Sequence, residues 1–124
     1  MSEAPLYDFP EDEAPSAGEF EPAAPLAALA DPVRLRLVQR LAHGPCSVRR
    51  LSEGLPISRA SVSQHLKLLW RAGLVSYRKH GPLNIYRLEQ GPLQHLQAFL
   101  AQLNHLATIS EARWRRRAAW FEQV

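Results

Sequence analysis

The stretch Ile57–Val75, ISRASVSQHLKLLWRAGLV, carries two kinds of residue on one segment. Val62, Leu66 and Leu69 recur at the three- and four-residue spacing of a buried helical face. Arg59, Ser61, Ser63, Gln64 and Lys67 fall between them, and a helix that only filled a core would not need that polar edge. A guanidinium can bridge guanine O6 and N7, a carboxamide can pair with adenine N6 and N7, and serine hydroxyls can serve bases or phosphates. Ser58 caps the helix or meets a phosphate, since both contacts use one geometry. His65 suits a packing or phosphate contact better than metal ligation. Lys67 and Arg71, further along, are placed for phosphates.

Two flanking groups extend the same chemistry. Ser47, Arg49 and Arg50 open the preceding helix, where backbone N–H groups and positive charge favour an anion. Arg78, Lys79 and His80 flank a turn from which they could reach phosphates or a minor groove. The run RWRRR at Arg113–Arg117 is also basic, but it follows an apolar stripe, and Trp114, Trp120 and Phe121 beside it suit packing on a second subunit or on the N-terminal segment.

The elements that must position these groups follow from periodicity. Leu29, Val33, Leu37 and Leu41 are four apart, with Leu26, Ala30 and Val38 widening one amphipathic face. Asp31-Pro32 offers an N-cap and a first-position proline, so a short helix or turn at Leu26–Ala30 precedes the main helix. Gly44 and Pro45 end that helix. A short helix capped by Ser47 buries Val48, Leu51 and Leu55, and GLPIS at Gly54–Ser58 breaks it. The opening stretch then forms the second helix of a helix-turn-helix and stops at Gly73. LVSYRKHGPLNIYRLEQ alternates, turns over His80–Asn84 and alternates again as a β-hairpin, with Tyr77, Ile85 and Tyr86 as its core. Gly91-Pro92 starts a last long helix. Its stripe of Leu93, Leu96, Phe99, Leu100, Leu103, Leu106 and Ala107 exceeds what one small body needs, so most of it, with Leu29, is expected to meet a second copy.

Charge is uneven along the chain. Residues 1–25 hold seven carboxylates, no Lys or Arg and five of the ten prolines. Residues 26–124 hold the remaining five carboxylates against 15 Lys and Arg, a net +10 that attracts polyanions. The expected organisation is an acidic, disordered or loosely docked tail over 1–25 and one ordered domain over 26–124. That tail either solvates the chain or shields its basic surface. The lone Cys46 excludes an internal disulfide, and an inert thiol is expected. No apolar run reaches the roughly 20 residues that span a bilayer, and the N-terminus lacks a secretory pattern, so a cytoplasmic location is expected.

Helix, helix-turn-helix, hairpin and terminal helix make a mainly α winged helix-turn-helix. On LADPVRLRLVQRLAHG, LPISRASVSQHLKLLWRAGLV and RKHGPLNIYRL, over about residues 26–107, the chain resembles the arsenical-resistance-regulator (ArsR/SmtB) family of transcription repressors. The resemblance implies a homodimer joined through the terminal helices, a second motif helix in the DNA major groove, and an inverted-repeat operator. It also implies two metal sites to look for. At one, Ser47 and Arg49 stand where the family places thiolates; at the other, Leu93-Gln94-His95 and His105-Leu106-Ala107-Thr108 lack the family's carboxylates. Neither pattern suits a metal, so no metal or other cofactor is expected, and no inducer can be read. The competing reading is a winged-helix protein-interaction module regulated by its acidic tail, against which the cationic edge argues. No Ser/His/Asp arrangement on plausible loops, phosphate-binding glycine loop or carboxylate pair in the body points to an enzyme.

Overall fold

In the computed structural model the described residues are 21–122. The expected acidic tail therefore lies outside the described residues as far as Phe20. Order begins before Leu26: α1 spans Ala23–Leu29. The Glu21 carboxylate accepts the Ala23 N–H at 3.2 Å, and prolines cost little in a first turn, whose N–H groups lack intrahelical partners.

Helix α2, Pro32–Leu41, starts as its Asp-Pro predicts, with Asp31 Oδ1 accepting the N–H groups of Val33 at 2.9 Å and Arg34 at 3.1 Å. The Arg34 N–H foremost, with that of Val33, holds the Asp31 carboxyl below its usual range. Gly44 takes the positive φ that ends the segment. A two-residue strand β1, Cys46–Ser47, precedes α3, Val48–Ser52, whose first turn Ser47 caps. After the Gly54 turn comes α4, Arg59–Arg71, capped by Ser58.

Helix α4 ends in a way that aims the next strand. Gly73, at φ +77°, lets its N–H reach the Trp70 carbonyl at 2.9 Å while the Leu74 N–H reaches that of Leu69 at 3.0 Å. This is the Schellman arrangement, and it drops Leu74 into the core beside Leu69. Strands β2, Val75–His80, and β3, Leu83–Leu88, then pair antiparallel from Val75↔Leu88 to His80↔Leu83. The turn is tighter than expected, just Gly81-Pro82. Positive φ at Gly81 followed by proline's fixed negative φ suits a two-residue hairpin. The sheet has three strands rather than two, because β1 pairs with β3 through Cys46↔Tyr86 and Ser47↔Ile85.

One core unites these elements, with Leu37, Leu51, Val62, Leu66, Leu69 and Leu74 fully buried. Helix α5, Gln90–Glu122, runs 33 residues, or ~50 Å at the helical rise. Its start is tied to the hairpin: Ser76 donates to Glu89, and Arg87 Nε reaches both Ser76 Oγ at 3.0 Å and Glu89 Oε1 at 3.1 Å. Leu93 and Leu96, expected on an interface between copies, instead pack into the chain's own body, because the first turns of α5 lie against it. From Leu100 onward the large apolar side chains of α5 are exposed. None of the described helices is long and apolar enough to cross a membrane.

Tyr77 and Tyr86 face each other across the hairpin with ring centroids 5.1 Å apart. Burial, with Tyr77 adding to it, pushes the Tyr86 phenol up to about 12. The unfolded phenol ionises near pH 10 while the native one stays protonated, so stability falls as pH rises through that window. Alkaline denaturant titrations should lose roughly 2–3 kcal/mol between about pH 10 and 12. Tyr86→Phe should flatten that loss, and an equally steep decline in the variant would assign it to other groups.

Candidate nucleic-acid interface

On α4, Val62, Leu66 and Leu69 have no solvent exposure. At 100° per residue, the opposite side of the helix holds Ala60, Gln64, Lys67, Arg71 and the exposed Leu68, with Ser61 and Ser63 at its two margins. Arg59 flanks this side from the first turn, and Arg59, Ser61, Ser63, Gln64 and Arg71 are exposed, with Lys67 half-buried. The expected polar edge is thus exposed, with the apolar Leu68 set between Gln64 and Ser61. Ser58 and Ser61 also satisfy each other: the Ser61 N–H donates to Ser58 Oγ at 3.1 Å and the Ser58 hydroxyl to Ser61 Oγ at 3.2 Å. Each hydroxyl keeps an exposed lone pair for a further contact.

His65 is oriented differently from the rest. It is half-buried on the side of α4 facing α2, with Nδ1 3.3 Å from Arg34 Nη1 and 3.9 Å from Asp31 Oδ1. With arginine as donor, Nδ1 accepts and the ring proton sits on Nε2. The same Arg34 donates Nε to the Ala28 carbonyl at 2.6 Å. One guanidinium therefore joins α1, α2 and the middle of α4. A second, Arg40 of α2, donates Nη1 to the Leu51 carbonyl of α3 at 2.6 Å.

The flanking cations sit as the chain order suggests. Arg49 and Arg50 are exposed on α3, and Ser47 accepts the Arg50 N–H at 3.1 Å. Arg78, Lys79 and His80 are exposed at the hairpin tip, Arg78 and His80 on one face of the ribbon and Lys79 on the other. Three participants escaped the sequence reading. Ala60, whose methyl suits a thymine methyl, was visible on the same helical projection as Gln64. Arg34 and Arg40 had no local signal, since their partners lie 31 and 11 residues away.

The positions at which the family holds metal carry other side chains or other roles here. Ser47 Oγ is committed to capping α3, Arg49 is a cation, and the half-buried Cys46 thiol stands alone. His95 and His105 are ten residues, ~15 Å, apart on one helix, too far to share an ion within a chain. Among the described residues no three His, Cys, Asp or Glu side chains come together.

A hydrophobically locked helix presenting a polar strip, with a basic hairpin beside it, defines a winged helix-turn-helix DNA-binding protein. A family model described as a helix-turn-helix domain matches residues 29–78. The HTH-type transcriptional regulator Rv2034 of Mycobacterium tuberculosis is 48% identical over 73 residues, which cover 59% of this chain and 68% of that protein. The SmtB repressor of the same species is 38% identical over 81 residues, covering 65% of this chain and 56% of its own length. The structure of an ArsR-like transcriptional regulator from Rhodococcus sp. RHA1 superposes with a TM-score of 0.60 at 30% identity, over 82% of this chain and 90% of that one. The chain belongs to the ArsR/SmtB family of DNA-binding transcriptional regulators.

Replacing Arg34 with lysine keeps the charge but leaves one nitrogen for two partners that face different helices. Arg34→Lys should cost about 1–3 kcal/mol in urea unfolding, close to the loss in Arg34→Ala. Wild-type stability in the lysine variant would mean that charge alone suffices.

Proposed function

We propose that the chain is a homodimeric transcriptional repressor that binds an inverted-repeat operator without a bound metal. The observation that carries the reading is the exposed edge of α4: polar and cationic side chains lie opposite a stripe with no exposure. Arg59 and Gln64 read base edges, with Ala60 and Ser63 between them, and Ser58 and Ser61 serve bases or phosphates. Lys67, Arg71, Arg49 and Arg50 take phosphates, and the hairpin cations Arg78, Lys79 and His80 reach the flanking backbone or minor groove. Ser47 acts through the cap that orients the α3 arginines. His65 positions α4 through Arg34 rather than meeting DNA from its half-buried site.

The dimer reading rests on α5. Leu100, Leu103 and Leu106 are each about half exposed at successive three-residue steps along α5. Contiguous exposure of this kind suits an interface between copies. The interface then comprises Phe99, Leu100, Leu103, Leu106 and Ala107, whereas Leu29, expected there from the sequence, packs like Leu93 against the chain's own core. A two-fold axis between the α5 helices sets two α4 helices on half-sites ~34 Å apart. Repression is the activity named for the mycobacterial SmtB relative. Metal independence is supported by the capping role of Ser47, the cationic Arg49 and the separation of His95 from His105 along one helix.

The deciding test is a mobility shift on the chain's own upstream DNA against random DNA, with and without added zinc. Selective binding at physiological salt that zinc leaves unchanged supports the reading; equal, salt-fragile binding to both probes would leave DNA a non-specific partner. Arg59→Ala and Gln64→Ala should each cost roughly 1–3 kcal/mol on the operator and relax base preference. Wild-type affinity in both would remove α4 from the readout. In sedimentation, Leu103→Glu should give a folded monomer that has lost operator binding, and a persistent dimer would move the interface away from α5.

A further inference from the structure

The last turns of α5 combine features that neither DNA reading nor the apolar stripe requires. Trp114, Trp120 and Phe121 are 69%, 59% and 66% exposed, whereas the other aromatic rings among the described residues are buried or half-buried. Trp120 and Phe121 meet edge to face at 5.1 Å. Four arginines stand among these rings. Arg115 is bound to Glu111 one turn back at 2.6 Å, whereas among the described residues Arg113, Arg116 and Arg117 meet no carboxylate. Two shallow clefts adjoin here and share Trp114, Arg116 and Arg117 as lining. An exposed aromatic surface studded with unpaired guanidinium groups suits an acidic, aromatic peptide, since arginine both stacks on rings and binds carboxylates two-pronged.

We propose that this end of α5, Arg113–Phe121, is the docking surface for the chain's own residues 1–20. Charge complementarity supports that occupant: residues 1–20 carry six carboxylates and no Lys or Arg. Their densest part, Tyr7-Asp8-Phe9-Pro10-Glu11-Asp12-Glu13, mixes rings and acids as the helix end mixes rings and cations. A second copy of the patch is a poorer occupant, since each would bring its own cluster of unpaired arginines against the other. The inference is independent of the operator reading and concerns a different surface.

The test uses the intact chain and its nitrogen-edited NMR spectrum at about 50 mM salt, where charges act over more than 10 Å. In the variant Asp8→Asn/Glu11→Gln/Asp12→Asn/Glu13→Gln, the indole N–H signals of Trp114 and Trp120 and the amides of 110–121 should shift. The indole of Trp70 and the amides of 59–64 and 78–80 should stay in place. Wild-type protein moved to about 1 M salt, where the screening length falls to ~3 Å, should reproduce the variant's α5 signals. Reciprocally, Arg113→Gln/Arg116→Gln/Arg117→Gln, all on exposed positions, should move the signals of residues 8–13. Shifts confined to 59–64 and 78–80 would overturn the proposal and place the acidic segment on the nucleic-acid surface. An unchanged spectrum would overturn it in favour of a solvated tail. Helix-end signals that follow dilution but ignore the acid substitutions would overturn it in favour of a second copy.

Discussion

The structure depends on the complete burial of one stripe of α4. A helix can offer a specific set of side chains to a partner only if it cannot turn about its own axis. Val62, Leu66 and Leu69 prevent that turn, each contributing roughly 1.5–3 kcal/mol by leaving water. Rolling α4 by a single position would drive Ser61 or Ser63 into an apolar core and expose leucine. The polar strip is therefore a consequence of where the leucines are.

Helix α2 supplies the second level of constraint. Its apolar side fills the core through Leu37 and Leu41, while two arginines fasten what surrounds it. Arg34 closes on the end of α1 and on His65, and Arg40 closes on α3. Hydrophobic burial alone is indifferent to small sliding motions. Short bonds from a rigid fork to a backbone carbonyl are not, so the two motif helices are held both by packing and by direction.

Features written in neighbouring residues were legible in the sequence. The Asp31-Pro32, Ser47 and Ser58 caps, the buried stripe of α4, the stop at Gly73 and the place of Tyr77 and Tyr86 in the hairpin core each depend on contacts local enough, or periodic enough, to be read directly. Strand β1 was not, because two residues are too few to display a period and it exists only by pairing with β3. The start of α1 was hidden by prolines that resemble tail but sit in a first turn. Leu93 and Leu96 look identical in type to Leu100 and Leu103; only the placement of α5 against the body separates them. At the candidate site the exposed edge was read almost whole, whereas the inward turn of His65 was not, since it is set by an arginine 31 residues away.

The length of α5 has a consequence for how this protein responds to its own abundance. After Leu96 the helix continues for 26 residues, ~39 Å, without a buried side chain from its own body. Helical segments with no tertiary support are only marginally stable in water. With the dimer proposed above, the order of that rod becomes a mass-action quantity, strengthened as protomers accumulate and weakened as they dilute. The separation between the two reading helices would then stiffen with concentration as well, so a cell's stock of the regulator would set not only how many sites are filled but how well each protein molecule is shaped to fill them.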